Sequence, residues 1–232
     1  MSIRKTVLLI GLLFIPVAVF LFLKTFGVNH YTLPTYYAME VDSTRVATGW
    51  QLDTIYHKIP DFQLTSQQGH TVTQRDLDNT VYVASFFFTS CSGPCKEMNT
   101  ELVRVQDAFR NYPQVKIVSH TVHPEHDSVE VLQRYADRFN ADPSKWYFLT
   151  GDREKIYHLA QTGYGLVAQQ APGVLVDFLH AEQFLLIDWN KHVRGIYHGT
   201  NSEDVDRLIT EIGVLLDEMK KNENESISLR QR

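Results

Sequence analysis

The chain has 232 residues, 44% of them hydrophobic and 21% charged, with 22 Lys+Arg against 27 Asp+Glu for a formal net charge of -5. These proportions lie near the globular average and exclude collagen-like, fully disordered and disulfide-framework classes. A mildly acidic chain without a Lys/Arg cluster also lacks the concentrated basic face that nucleic acid requires, so no nucleic-acid partner is expected. The length predicts one domain with extensions, able to bury a core unaided.

From Val7 to Leu23 the chain runs 17 residues without a charge, behind Arg4 and Lys5. As a helix rising ~1.5 Å per residue, such a run is about 26 Å long, at the short end of what spans a bilayer. An uncleaved anchor is preferred to a secretory signal, because the run exceeds a typical signal core and residues 24–29 contain no small-x-small cleavage pattern. With the positive residues first, residues 1–6 stay cytoplasmic, 7–23 span the membrane and everything after Lys24 lies outside the cytoplasm. Residues 24–55, with Pro34, Tyr31, Tyr36, Tyr37 and no clear period, read as a tether.

A folded domain is expected over 56–219. Pro60–Leu64 and Gly69–Val72 suggest a hairpin ahead of the main sheet. Val81–Phe88 is a near-continuous apolar, β-branched and aromatic run, the pattern of a strand buried on both faces. The period then changes: Met98, Leu102, Val105 and Phe109 fall on one helix face. Val115–Ser119 predicts the next strand, Asp127–Glu130 a capping-box-like start, and Leu132, Tyr135, Ala136 and Phe139 a second helix face. Trp146–Leu149 reads as a third strand, with Asp152 opening a helix through Ile156 and Leu159. Phe184–Ile187 and Val193–Tyr197 form a hairpin around Asp188–His192. Thr200–Glu203 caps a last helix carrying Val205, Leu208, Ile209, Ile212, Leu215 and Leu216. Residues 220–232 are polar and read as a disordered tail. The sum is an α/β plan with a covered central sheet, and no internal repeat is visible.

The chain's two cysteines, Cys91 and Cys95, lie in one short stretch, so they read as a site rather than a scaffold. They sit at the junction of the buried strand with its helix, and Pro94 occupies a position where a first-turn proline is tolerated. A helix N-terminus favours the thiolate, the form that attacks disulfides and binds metal. Spaced four apart, the sulfurs can converge on one metal ion or close a disulfide. Two thiolates leave a metal short of ligands, and ten histidines compete to complete the set. His180, in a loop before the strand at Phe184, is one candidate by placement. His120, His123 and His126 invite a second metal reading by their spacing, but Pro124 breaks any helix that would align them. A structural zinc site is disfavoured, because it wants four ligands and usually two cysteine pairs.

Phe86-Phe87-Phe88-Thr89-Ser90-Cys91-x-x-x-Cys95, the loop His123-Pro124-Glu125-His126-Asp127, Trp146–Asp152, and His180 ahead of a strand and Arg194-Gly195-Ile196-Tyr197 together resemble the Sco/SenC family over about residues 58–216. That family consists of membrane-anchored, thioredoxin-like copper proteins that help assemble the binuclear copper centre of cytochrome c oxidase. The resemblance implies a thioredoxin-like sheet with flanking helices and an added N-terminal hairpin. It also implies copper ligands at Cys91, Cys95 and His180. Thioredoxin-like reductases, by contrast, usually have two residues between their cysteines and a cis-proline facing them, where this chain has three and His180-Ala181-Glu182-Gln183. The chain also departs from the family: Lys96 follows the second cysteine where proline is usual, His123 replaces the loop aspartate, and the spacer is Ser92-Gly93-Pro94.

Soft thiolates select Cu(I), and an imidazole suits either copper oxidation state. The expected function is therefore a copper metallochaperone, tethered to a bacterial inner membrane with its domain in the periplasm. Its partners would be the copper-bearing oxidase subunit, with other copper chaperones or thiol reductants. The bacterial assignment rests on the lack of a transit peptide ahead of the anchor. Two alternatives stand beside it: a thiol-disulfide oxidoreductase using Cys91 and Cys95 as its catalytic pair to reduce the subunit's cysteines before metal insertion, and a redox or copper sensor.

Overall fold

The computed structural model describes residues 3–26, 31–46, 49–166 and 182–230. The chain divides into two units, Met1–Thr32 and Leu33–Arg232. The first contains helix α1, Ile3–Phe26, with Pro16 inside it. Its large apolar side chains from Leu12 to Phe22 are exposed, as expected of a helix without a core-facing stripe. The side chains described without interruption run from Gly11 to Phe22. Among the described residues no helix is long and apolar enough to cross a membrane.

The second unit begins earlier than the expected boundary at 56. Ala38–Val46 (β1) and Gly49–Tyr56 (β2) pair antiparallel as a ribbon of their own, inside the stretch expected to be a tether. The alternation of Met39 and Val41 with Glu40 and Asp42 carries a strand period, diluted by the polar run that follows. Ahead of the ribbon, a strap at Leu33–Tyr36 is held by the side chain of Arg194. Its guanidinium donates to Leu33 O at 2.6 Å and Pro34 O at 3.0 Å, and pairs with Asp188 and Glu218. Glu218 in turn accepts the Leu33 amide at 2.8 Å, and the Tyr36 amide donates to Val193 O at 2.9 Å.

The main sheet has seven strands. In chain order they are β3 (Gln63–Ser66), β4 (Thr71–Thr73), β5 (Val81–Phe87), β6 (Val115–Thr121), β7 (Trp146–Thr150), β8 (Gln183–Ile187) and β9 (Val193–His198); across the sheet they run β4-β3-β7-β6-β5-β8-β9. The β5–β6 and β6–β7 pairs are parallel, and the rest antiparallel. The hairpin expected before the sheet is β3–β4, and the one around Asp188–His192 is β8–β9.

Every residue of β5 is buried. Val81, Val83 and Phe87 enter one core, closed by α2 (Pro94–Ala108), α3 (Val129–Arg138) and α5 (Ser202–Arg230). Tyr82, Ala84 and Phe86 enter the other, closed by α4 (Arg153–His158) and the π turn Leu159–Gly163. Asn201 starts α5 by accepting the amides of Glu203 and Asp204, one residue later than the sequence pattern placed the cap. The helix continues to Arg230, through the stretch expected to be a disordered tail, where the described side chains from 221 on are exposed. With no apolar face there, only intrinsic helix propensity supports that extension.

Gly195 in β9 is fixed by a close approach. A Cβ there would overlap the Tyr197 hydroxyl, because the Tyr197 ring folds back across the strand to reach Glu211 at 2.5 Å, beneath the Arg207 guanidinium at 4.3 Å. Gly195→Ala should therefore displace the ring and lower unfolding stability by about 2–3 kcal/mol, as overpacking does. Urea unfolding of the two proteins tests this; equal midpoints and slopes would show that the ring has room to move.

Candidate metal centre

The buried strand β5 ends at the carboxyl edge of the sheet, and the chain then turns through residues 88–93 into α2. The Cys91 amide closes this turn on Phe88 O at 3.2 Å. Gly93 is the N-cap and Pro94 takes the first helical position, where its missing N–H is not needed. Cys91 therefore precedes the helix, while Cys95 sits in its first turn, so the sulfurs meet across the turn and not along one helix face. Both are free thiols. Cys95 is 6% exposed, and Cys91 is half-buried.

The expectation that the helix N-terminus favours both thiolates fails for Cys95. Burial pushes its thiol up to about 12, assisted by its hydrogen bond to Cys91 and opposed by the backbone at Phe88. Desolvation of a sulfur buried in the core that α2 closes outweighs the helix dipole. Cys91 is thus the sulfur that solvent and partners reach, with Cys95 directly behind it.

The loop after β6 braces this turn. Asp127 is fully buried, and its carboxylate accepts the Thr89 amide at 3.1 Å, the Thr89 hydroxyl at 2.5 Å and the Thr121 hydroxyl, while His126 Nδ1 lies 2.8 Å away. One carboxylate so ties the β6 loop to a residue two positions before Cys91. The sequence pattern marked Asp127 only as a helix start; the actual N-cap of α3 is Ser128. Asn99, four residues after Cys95 on the buried face of α2, donates to the Tyr135 hydroxyl of α3 at 2.8 Å. The available signal was a lone amide four residues after Cys95, on an otherwise apolar helix face.

The three-histidine reading does not hold as one cluster. His120 is fully buried in the opposite core, stacked on Phe86 at 5.0 Å with Nε2 3.3 Å from the Tyr164 hydroxyl. His123 and His126 stack on each other in the loop at 5.4 Å. His180 lies outside the described residues. Because β8 runs antiparallel to β5, its first residue, Gln183, enters at the edge where β5 ends. Among the described residues no group of three or more His, Cys, Asp or Glu side chains is arranged to hold a metal ion. The donor pair that is present, two adjoining sulfurs, matches the soft ligands that copper in its lower oxidation state prefers.

Comparison with known proteins gives a match to the SCO1/SenC family over residues 53–216. A SCO1/SenC family lipoprotein from Bacillus anthracis str. Ames is 28% identical, the alignment covering 69% of this chain and 95% of that one with a TM-score of 0.63. The structure of Arabidopsis thaliana ScoI with copper bound is 25% identical, over 66% and 96% of the two chains, at a TM-score of 0.55. BsSco, described as a member of the Sco family of cytochrome c oxidase assembly proteins that has a disulfide switch, is 24% identical over 67% and 93%, at a TM-score of 0.57. These likenesses establish the thioredoxin-like Sco fold.

His120 generates a pH prediction. Burial pushes its imidazole down to about 3, against an ordinary value near 6.5. Between those values the unfolded chain binds a proton that the folded protein does not. The stability involved is complete above about pH 6.5 and is lost on acidification through the window, at up to about 1.4 kcal/mol per pH unit. His120→Phe should flatten the slope of unfolding free energy between pH 6.5 and 4, measured by urea titration. An unchanged slope would show that other groups carry the acid sensitivity.

Proposed function

Because the chain belongs to the SCO1/SenC family, we propose that it is a copper metallochaperone that delivers copper to the binuclear copper centre of cytochrome c oxidase through Cys91, Cys95 and His180. The observation that carries this reading is the cysteine pair. Both thiols are free, one half-buried and one buried, four residues apart on a braced turn at the sheet edge. Such a pair can hold a soft ion between two sulfurs while leaving one side open to an incoming ligand. Sco structures homologous to this one are solved with copper bound. His180 is three residues before Gln183, which enters the sheet at the same edge, and that supports it as the third ligand.

In this mechanism Cys91, the accessible sulfur, receives the ion first. Cys95 gives up its proton as it joins, since its burial disfavours a bare thiolate without a cation beside it. Release follows when thiolates of the recipient subunit replace Cys91, then Cys95. The braced turn keeps the two sulfurs adjacent throughout, so the exchange needs no refolding of the site.

The thiol pair also favours a second reading, a thiol-disulfide oxidoreductase acting on the same subunit. Cys91 would attack a subunit disulfide, releasing one subunit thiol and forming a mixed disulfide. Cys95 would then attack Cys91 and release the second thiol, leaving Cys91–Cys95 oxidised for a dithiol reductant to restore. BsSco, described as having a disulfide switch, keeps this reading alongside the first. The apolar run Val7–Leu23 behind Arg4 and Lys5 supports a single membrane anchor with the domain in the periplasm.

Copper binding should need reduced cysteines, because a disulfide has no thiolate to give. The full chain, oxidised and shown to contain no thiol, should bind no Cu(I); undiminished stoichiometry would remove Cys91 and Cys95 from the ligand set. His180→Ala should weaken copper at least tenfold and abolish oxidase copper loading while leaving reduction of a small disulfide unchanged. Normal oxidase copper in cells with a well-expressed His180→Ala protein would favour the reductase. A reporter fused near residue 60 should be active only outside the cytoplasm, and activity inside would overturn the assigned orientation.

A further inference from the structure

The loop that follows β6 carries two histidines that the cysteine site leaves unused. His126 Nδ1 lies 2.8 Å from Asp127 Oδ1 and 3.3 Å from the Thr89 hydroxyl oxygen. The Thr89 hydroxyl gives its single hydrogen to Asp127 Oδ1 at 2.5 Å, so it presents only a lone pair to the ring. The carboxylate is an acceptor on every side, taking the Thr89 amide and the Thr121 hydroxyl as well. Both neighbours of Nδ1 therefore accept, and the hydrogen of the neutral ring sits on Nδ1. Nε2 is left with a bare lone pair, on a side chain half open to solvent. A buried carboxylate behind one ring nitrogen, with an open lone pair on the other, is the arrangement that metal-ligating histidines use.

His123 stands beside it, the two ring centroids 5.4 Å apart and the ring planes 14° from parallel. An imidazole nitrogen holds a metal at about 2.0–2.1 Å, which puts two rings on one ion about 4.5–6.5 Å apart between centroids. The separation fits, but stacked rings do not both aim at a shared ion, so one must turn. His123 is the one able to, because its Nδ1 has no hydrogen-bond partner to give up. The His126 and Asp127 amides donate to His123 O at 3.1 and 3.0 Å, and that tight turn keeps the two rings together where Pro124 forbids a helix.

We propose that His123 and His126 form a two-imidazole site for a borderline divalent cation, Cu(II) foremost, separate from the cysteine pair and tied to its turn through Thr89. Imidazole suits Cu(II), which binds nitrogen donors more tightly than the other first-row divalent ions do. Thr89 is two residues before Cys91, so an ion held here sits one hydrogen bond from the turn that carries the accessible sulfur. Its use as a holding place beside that sulfur rests on the copper reading of the cysteines; the site itself does not.

The test is Cu(II) titration of the full chain, oxidised until no thiol remains, followed by EPR, beside Cu(I) titration of the reduced chain. His123→Gln and His126→Gln should each weaken Cu(II) binding about tenfold or more and remove one nitrogen from the EPR coupling pattern. His70→Gln, at an exposed histidine in the β3–β4 turn, should change neither. In the metal-free wild type, nitrogen NMR should find His126 with its hydrogen on Nδ1. The opposite tautomer, or Cu(II) affinity within twofold of wild type in either loop variant, would overturn the site. Failure of the reduced chain to bind Cu(I), with these Cu(II) results as expected, would instead remove the copper reading of the cysteines and leave the imidazole site standing.

Discussion

The organisation of the domain follows from one constraint, the burial of β5 on both faces. A strand with every side chain buried can reach water only at its ends, and its backbone must pair fully on each side. β6 supplies one partner in parallel and β8 the other antiparallel, and each face then needs its own layer of helix. The first place where the chain can carry a reactive group is just past the strand end. The cysteine turn occupies that place, with the parallel neighbour's loop arriving beside it at the same edge. Open α/β sheets bind ligands at this kind of position because strand ends converge there while helices cover everything else.

Burial also divides the labour between the two sulfurs. A helix N-terminus offers a fraction of a positive charge, while removing a thiolate from water costs several times more. For Cys95 the second effect wins, and the pair becomes one half-buried group and one withheld group. Under the proposed copper reading, an ion carrying its own positive charge would reverse the balance at Cys95 and make the withheld sulfur available as a ligand. The brace through Asp127 keeps this arrangement from relaxing, because that buried carboxylate would lose several hydrogen bonds at once if the turn moved.

Much of this was legible from residue order. The run Val81–Phe88 announced a buried strand, Pro94 the helix start, and the switch from a near-continuous apolar run to a helical period the strand-to-helix junction at the cysteines. What escaped the sequence pattern depends on contacts far along the chain. Asp127 looks like any residue near a helix start until Thr89, 38 positions earlier, is placed beside it. His120, His123 and His126 share a spacing but not a face, because His120 lies within β6, whose alternate residues point into the far core. The β1–β2 ribbon was missed for a local reason: its apolar alternation is short and set among charged and hydroxyl residues that also suit a linker. Asn99 and Tyr135 were hidden by type, since an amide and a phenol inside apolar helix faces read as packing until their hydrogen bond is seen.

The strap at Leu33–Tyr36 bears on the outer edge of the main sheet. β9 is an outer strand of the main sheet, and an uncovered outer strand is a template on which a second molecule can add its own. Here the Tyr36 amide is hydrogen-bonded to Val193, and Arg194 clamps the two residues at the head of the strap. A fragment trimmed to the boundary that the hydrophobic pattern suggests, near residue 56, loses that cover and leaves Arg194 with half its partners. Such a fragment would present β9 as an open edge on which a second copy could add its own strand.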